Sequence, residues 1–177
     1  MIIPLEEAQK IDPAIEQREL DAYEQMIRQL SNNPFQNIYI RYKHLTFPDK
    51  SILLVSAPEG LRAGDTIQIS GSRQNDGLTT ILSIKDKTIE TTVKEPFFDG
   101  SFFDAFLTKI EYPPDIRYGV EELIKYNQQM RTKIGIKSES IARMTITYDD
   151  RSTAETVDGF PIAKFNFLNK YKKMRWG

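Results

Sequence analysis

The spacing of apolar residues changes period twice along this chain, and few architectures can accommodate that pattern. From about Phe35 to Tyr112 the period is two. "NIYIRYKHL", "SILLVSA", "DTIQISG", "LTTILSIKD", "TIETTVKE" and "FLTKIEY" are short, rich in β-branched and aromatic residues, and separated by Pro, Gly, Asn or Asp. Nothing between them is long enough for a crossover helix, so they predict an antiparallel barrel or sandwich. "GSRQNDG" and "KDK" read as hairpin connections, where Gly71, Asn75, Asp76 and Gly77 tolerate positive φ.

Helical spacing holds on both sides of this stretch. Asp12-Pro13 reads as a helix start, followed by Ile15, Ala22, Tyr23, Met26, Ile27 and Leu30 along one face, and "SNNP" as its end. After "YPPD", Asp115 is the expected cap of a second helix carrying Ile116, Val120, Leu123, Ile124, Met130 and Ile134, with Gly135 as its C-cap. "KSES" then turns the chain into a short strand at residues 143–148 holding Met144, Ile146 and Tyr148. So short a strand needs a partner, in another segment or in a neighbouring copy. Past the polar loop "DDRSTAETVDG", Pro161 opens a third helix with Ile162, Phe165, Leu168 and Tyr171 on one side. The expected fold class is α+β: a helical core of three main helices and a short strand from residues 1–35 and 113–177, with an inserted β barrel or sandwich at 36–112. The roughly 100 residues outside the insertion have little core of their own, which favours assembly through shared surfaces.

Composition narrows the chemistry. The chain has no cysteine, so disulfides, thiolate zinc sites and thiol nucleophiles are excluded. The one histidine, His44, sits on a strand with no partner at catalytic spacing and reads as structural. The carboxylate pairs Asp149–Asp150 and Asp99–Asp104 match no metal-loop spacing and read as solvated turn residues. "GDTIQISGS" lacks the lysine and following helix of a phosphate loop, and no serine stands in a nucleophile turn. The expectation is a protein with no catalytic residues, no metal and no cofactor. No apolar run reaches the roughly 20 residues that span a bilayer, and "MIIPLEEAQK" is not a signal peptide; a cytoplasmic protein with no membrane partner is expected.

Net charge is −1, but it is unevenly spread: −4 over residues 1–30 and +5 over residues 164–177. That asymmetry suits oriented contact between copies or with an acidic partner. The basic and aromatic end "FNFLNKYKKMRWG" admits three roles: stacking and pairing with nucleic acid, docking onto a protein, or packing against its own body. Phe165 and Leu168 fit the last, and Trp176 fits docking.

Three blocks of this chain also resemble a known family. "DPAIEQRELDAYEQMIRQLSNNPFQ", "PPDIRYGVEELIKYNQQMRTKIGIKSESIARMTITY" and "GFPIAKFNFLNKYKKMRWG" are similar, in order and spacing, to segments of the head-tail adaptor, or connector, proteins of long-tailed bacteriophages. The most telling run is "KIGIKSESIARMTITY", followed by a Gly-aromatic-Pro opening and an aromatic, basic terminus. The resemblance implies a non-catalytic structural protein of the virion neck, made in the host cytoplasm. It would form a ring, usually of twelve copies, beneath the portal of the DNA-filled capsid and continue the DNA channel towards the tail. Implied partners are the portal protein, other copies of the chain, a downstream neck or tail-completion protein, and DNA that passes without specific binding. The portal-contacting segment maps to Lys164, Lys170, Tyr171, Lys172, Lys173, Arg175 and Trp176, and Met144, Ile146 and Tyr148 are the candidates for strand or inter-subunit pairing. The insertion at 36–112 departs from simpler members, so its role does not carry over. The alternative from a different class is a nucleic-acid-binding module built from the β domain and the basic end; a hydrolase using Asp149 or Asp150 is a third.

Overall fold

The computed structural model describes residues 1–93, 95–131, 138–141, 144–147 and 156–174. The chain divides into two compact units: Pro34–Glu111 with Met1, and a second unit from both flanks, Ile2–Asn33 with Tyr112–Gly177.

The first unit is a closed six-stranded antiparallel barrel. Its strands are β1 (Gln36–Phe47), β2 (Ser51–Leu53), β3 (Thr66–Ser70), β4 (Gly77–Lys85), β5 (Thr88–Thr91) and β6 (Gly100–Ile110), in the order β1-β2-β5-β4-β3-β6 around the wall. Residues two apart point the same way, and Leu45 with Phe47, Ile67 with Ile69, and Ala105 with Leu107 all enter one core. Phe47 is fully buried, with the Phe97 ring tilted against it and the Phe102 ring edge-on, centroids 5.1 and 5.6 Å away. Strand β6 begins at Gly100, well before the expected start near Phe106; two irregularities in its pairing with β1 break the alternation that would announce it. Ile38, Tyr39 and Ile40 bulge out between the pairs Asn37↔Lys109 and Arg41↔Thr108, and His44 faces Phe103–Ala105 between Lys43↔Phe106 and Leu45↔Phe102.

From β3 into the start of β4, positive φ falls on Gly71, Arg73 and Gly77, not on Asn75 and Asp76. Those two residues act through their side chains instead. The Asp76 carboxylate accepts from the N–H groups of Gly71, Ser72 and Arg73 and from the Ser72 hydroxyl. The Asn75 amide exchanges two hydrogen bonds with the backbone of Phe98.

The second unit contains a helix the sequence pattern does not announce, α1 (Leu5–Ile11), ahead of α2 (Gln17–Ser31) and α3 (Pro114–Arg131). Asp12 is therefore not the cap of α2: it ends α1, is buried, and bonds the Arg131 guanidinium at 3.0 Å. Asp115 is likewise not a cap but lies inside the first turn of α3. Strand β8 (Met144–Thr147) is paired with β7 (Ser138–Ile141), so Ser138, Glu139 and Ser140 of "KSES" are strand residues and not a turn. Gly135, Ile134, Tyr148, Asp149 and Asp150 lie outside the described residues. The last expected helix is a 3-10 helix, Ile162–Tyr171. Its apolar residues Ile162, Phe165, Leu168 and Tyr171 recur every third position, which aligns them in a helix of three residues per turn.

Candidate interaction surfaces

The basic C-terminal segment is built onto its own body residue by residue. It starts from a miniature hairpin, β9 (Thr156–Val157) and β10 (Phe160–Pro161), whose Asp158-Gly159 connection takes φ of 49° and 81°. Two positive φ values in a two-residue loop are the demand that Asp-Gly meets. The hairpin sets Phe160 among Tyr23 of α2, Tyr126 of α3 and Phe165, with ring centroids 6.0, 5.9 and 6.1 Å away. In the 3-10 helix that follows, Phe165 and Leu168 are buried. The Phe167 ring crosses α3 where Gly119 has no side chain; a Cβ there would come within 2.4 Å of the ring.

Polar clamps then hold the end of the segment. Tyr171 donates its hydroxyl proton to Asp115 Oδ1 at 2.6 Å, and Lys170 Nζ lies 2.5 Å from Asp115 Oδ2. These contacts, first Lys170 and then Tyr171, hold the Asp115 carboxyl below its ordinary pKa. The same bonds raise the pKa of Lys170 and of the Tyr171 phenol. At the C-terminal end of α2, Asn33 Nδ2 donates to the Tyr171 carbonyl at 3.0 Å and Asn32 Nδ2 to those of Lys173 and Met174 at 3.2 and 3.3 Å. The Lys173 N–H donates to the Ser31 carbonyl at 2.9 Å. "SNNP", which reads only as a helix stop, is thus a cleat for the opposite end of the chain.

Searches against known protein families and against characterised proteins found no match to this chain. The assignment of function therefore rests on the residues themselves.

Among the candidate portal-contact residues, Lys164 is exposed with its ammonium 5.2 Å from the centre of the Tyr126 ring. Lys170 and Tyr171 spend polar groups on Asp115. Lys172, Lys173 and Met174 are exposed at the end of the clamped segment. Arg175 and Trp176 lie outside the described residues. Met144 and Ile146 fall on β8, opposite Ile141 and Glu139 of β7. Asp115, Asn32, Asn33 and Phe160 carry the anchor, and sequence reasoning missed all four roles. Only Asp158-Gly159, a hairpin dipeptide, left a signal that finds part of it.

The barrel displays separate apolar features. Tyr39 in the β1 bulge is 92% exposed, Phe103 is 77% exposed and Phe98 is 61% exposed. The bulge is shaped by Asn37, whose Oδ1 accepts the Tyr39 N–H at 3.0 Å. His44, at φ 60°, donates from Nδ1 to the Phe103 carbonyl at 2.6 Å, and the two rings lie tilted against each other with centroids 4.0 Å apart. Both ring and nitrogen are occupied in shaping the strand pair. Asp99 and Asp104 are exposed, and no group of three or more metal-ligating side chains forms among the described residues. No described helix is long and apolar enough to cross a membrane.

Proposed function

We propose that this protein is a structural component of a bacteriophage neck, forming a ring beneath the portal of the DNA-filled capsid. There it continues the DNA channel towards the tail and joins head to tail, with no catalytic step. The observation that carries this reading is the built base of the basic C-terminal segment. Phe160, Phe165 and Leu168 fix it by burial, Asp115 and Ser31–Asn33 fix it by hydrogen bonds, and it ends in the exposed Lys172, Lys173 and Met174. A rigidly held basic and apolar end is preorganised for docking on a partner, since little ordering entropy remains to be lost. The partner is the portal protein.

Copies of the chain, about twelve in a closed ring, complete the assembly, and the opposite charges of residues 1–30 and 164–177 suit repeated head-to-tail contacts. A channel protein that lets DNA slide must avoid tight phosphate binding, and a net charge of −1 agrees with passage of DNA without specific binding. The exposed Tyr39, Phe98 and Phe103 suit contact of the barrel with a downstream neck, collar or tail-completion protein. The site of action is the virion neck, reached from the host cytoplasm during assembly.

Removal of residues 172–177 tests this reading more cleanly than removal from Lys164, because Phe165 and Leu168 belong to the core. Portal pull-down should be lost while the far-ultraviolet circular dichroism stays that of the intact chain; undiminished recovery of portal would sink the assignment. The exposed aromatics also favour a second reading, a nucleic-acid-binding barrel. It demands DNA binding that falls steeply with salt, and no binding at low salt removes it.

A further inference from the structure

We propose that the β7–β8 hairpin is an inter-subunit pairing element. The outer edge of β8 in one copy accepts the outer edge of β7 in the next, so that the hairpins of a ring join into one continuous antiparallel sheet. This deepens the ring reading and rests on it.

Sheet edges are the starting point, because an unpaired edge is a template for another chain. The barrel wall is closed, and β9–β10 has only two residues in each strand. The β7–β8 sheet is different: four residues face four, in the register Ser138↔Thr147, Glu139↔Ile146, Ser140↔Thr145 and Ile141↔Met144. Among the described residues no third strand joins it. A solitary two-stranded hairpin is marginal in water, so such a sheet gains from further pairing.

The sequence of β8, "MTIT", favours that pairing over protection from it. It contains no charge, no proline and no glycine, the devices that guard natural edges, and three of its four residues are β-branched. Register also sorts the hairpin by face. Ser138, Ser140, Thr145 and Thr147 occupy one set of positions, and Glu139, Ile141, Met144 and Ile146 the other.

The occupant is a second copy of this chain, for a geometric reason. Each hairpin offers two unlike edges, one of β7 and one of β8, running in opposite directions. A head-to-tail copy satisfies both kinds at once and repeats around an axis, whereas a strand from a different protein fills one and leaves the other. Pairing β8 with the β7 of the next copy keeps the strands alternating in direction, as antiparallel ladders require. Hydrogen-bonded and non-bonded pairs alternate along a hairpin, and a two-residue connection joins its flanking pair, here Ile141 and Met144. The outward backbone groups are then those of Thr145 and Thr147 on β8, and of Ser138 and Ser140 on β7.

The absence of native cysteine makes the test specific. Full-length Thr145→Cys protein is mixed with full-length Ser138→Cys or Ser140→Cys protein under an added oxidant. A mixed disulfide several-fold more abundant than the homodimers formed by either variant alone is expected. Thr145→Pro, which removes an outward N–H and spares the hairpin's own bonds, should reduce the oligomer to monomer in native mass spectrometry. Thr145→Lys provides a second edge-blocking variant, and circular dichroism checks the fold of both. Oligomers that form without the mixed cross-link and survive both substitutions overturn this inference alone and leave the ring standing. Thr145→Cys protein that cross-links as well alone as in the mixture overturns head-to-tail pairing, because β8 then meets β8 across a two-fold axis. Mixed cross-linking in dimers that never grow to rings supports the pairing and overturns the ring. Wild-type protein that stays monomeric, with no mixed cross-link, overturns both.

Discussion

In the barrel the buried polar side chains are neutral, Thr66, Ser72, Asn75, Thr79, Thr91 and Thr108, whereas the helical unit buries the carboxylates of Asp12 and Glu24. Burying a carboxylate is costly unless it is paired, and both have partners. Asp12 meets Arg131 at 3.0 Å, and Glu24 accepts the Tyr112 hydroxyl at 2.7 Å. Burial pushes the Tyr112 phenol up, with the Glu24 charge adding to the effect, so this hydroxyl keeps its proton. Tyr23 on the same helix is raised to about 12, chiefly by burial. The barrel is thus specified by alternation of apolar residues, and the helical unit by a few charge-assisted clamps between segments far apart in sequence. Each unit should break in its own way.

The largest effects come from emptying either core. Phe47→Ala removes the centre of the barrel's aromatic cluster and should cost ~3–5 kcal/mol, and Leu168→Ala, fully buried on the inner side of the C-terminal 3-10 helix, ~2–5 kcal/mol. Amide hydrogen exchange separates them. The first substitution should lower protection in β3 and β6, and the second in α3 and the 3-10 helix. Equal loss of protection throughout the chain under either substitution would break the division into two cores.

A pair of glycines sharpens the barrel side of the comparison. Gly71 and Gly64 have almost the same backbone, φ 82° and 88°, but a Cβ on Gly71 would sit 2.7 Å from the Asp104 carbonyl oxygen, while one on Gly64 would meet nothing within 4 Å. Gly64→Ala should cost ~1 kcal/mol from left-handed strain alone. Gly71→Ala adds a backbone clash and should cost ~2–4 kcal/mol. Urea unfolding of the two variants side by side checks the order; equal costs would mean that the β6 backbone yields without penalty.

The same contrast explains what could be read from residues alone. All six barrel strands were legible because β-branched and aromatic residues mark them, and turn residues punctuate them. The early start of β6 was not, since the bulges at Ile38–Ile40 and opposite His44 shift register by tertiary pairing. In the helical unit, Ile116, Val120, Leu123 and Ile124 announced α3 by spacing. By contrast, Asp12 and Asp115 both have the sequence look of N-caps, and long-range partners, Arg131 and Lys170 with Tyr171, claim them instead. The Asn32 and Asn33 cleat was hidden for the same reason. Its partners are backbone carbonyls about 140 residues away, and no local pattern records them.

The smallest predicted effect is also the one that best separates the units by pH. Two carboxylates, Asp76 in the barrel and Asp115 in the helical unit, have lowered pKa values. For Asp76, desolvation works against the shift and is outweighed by bonds from Ser72 and from the backbone of Gly71 and Arg73, all within its own loop. For Asp115, Lys170 and Tyr171 lower the value, and both lie on the C-terminal segment. A carboxyl with a lowered folded pKa contributes stability that is fully present above its unfolded value, about 4, and fades as pH falls through the folded value. Acidification should therefore loosen the β3–β4 loop only locally, but release the C-terminal segment from α3. Asp115→Asn should cost ~1 kcal/mol near neutral pH, a modest figure because the pair is partly exposed to solvent. It should also flatten the acid dependence of amide exchange in Phe165–Lys173, which in the wild type should accelerate below about pH 4. Asp76→Asn should leave that dependence intact. Exchange in the C-terminal segment that follows the Asp76 substitution, or ignores that of Asp115, would show that something other than the Asp115 clamp holds the segment to its body.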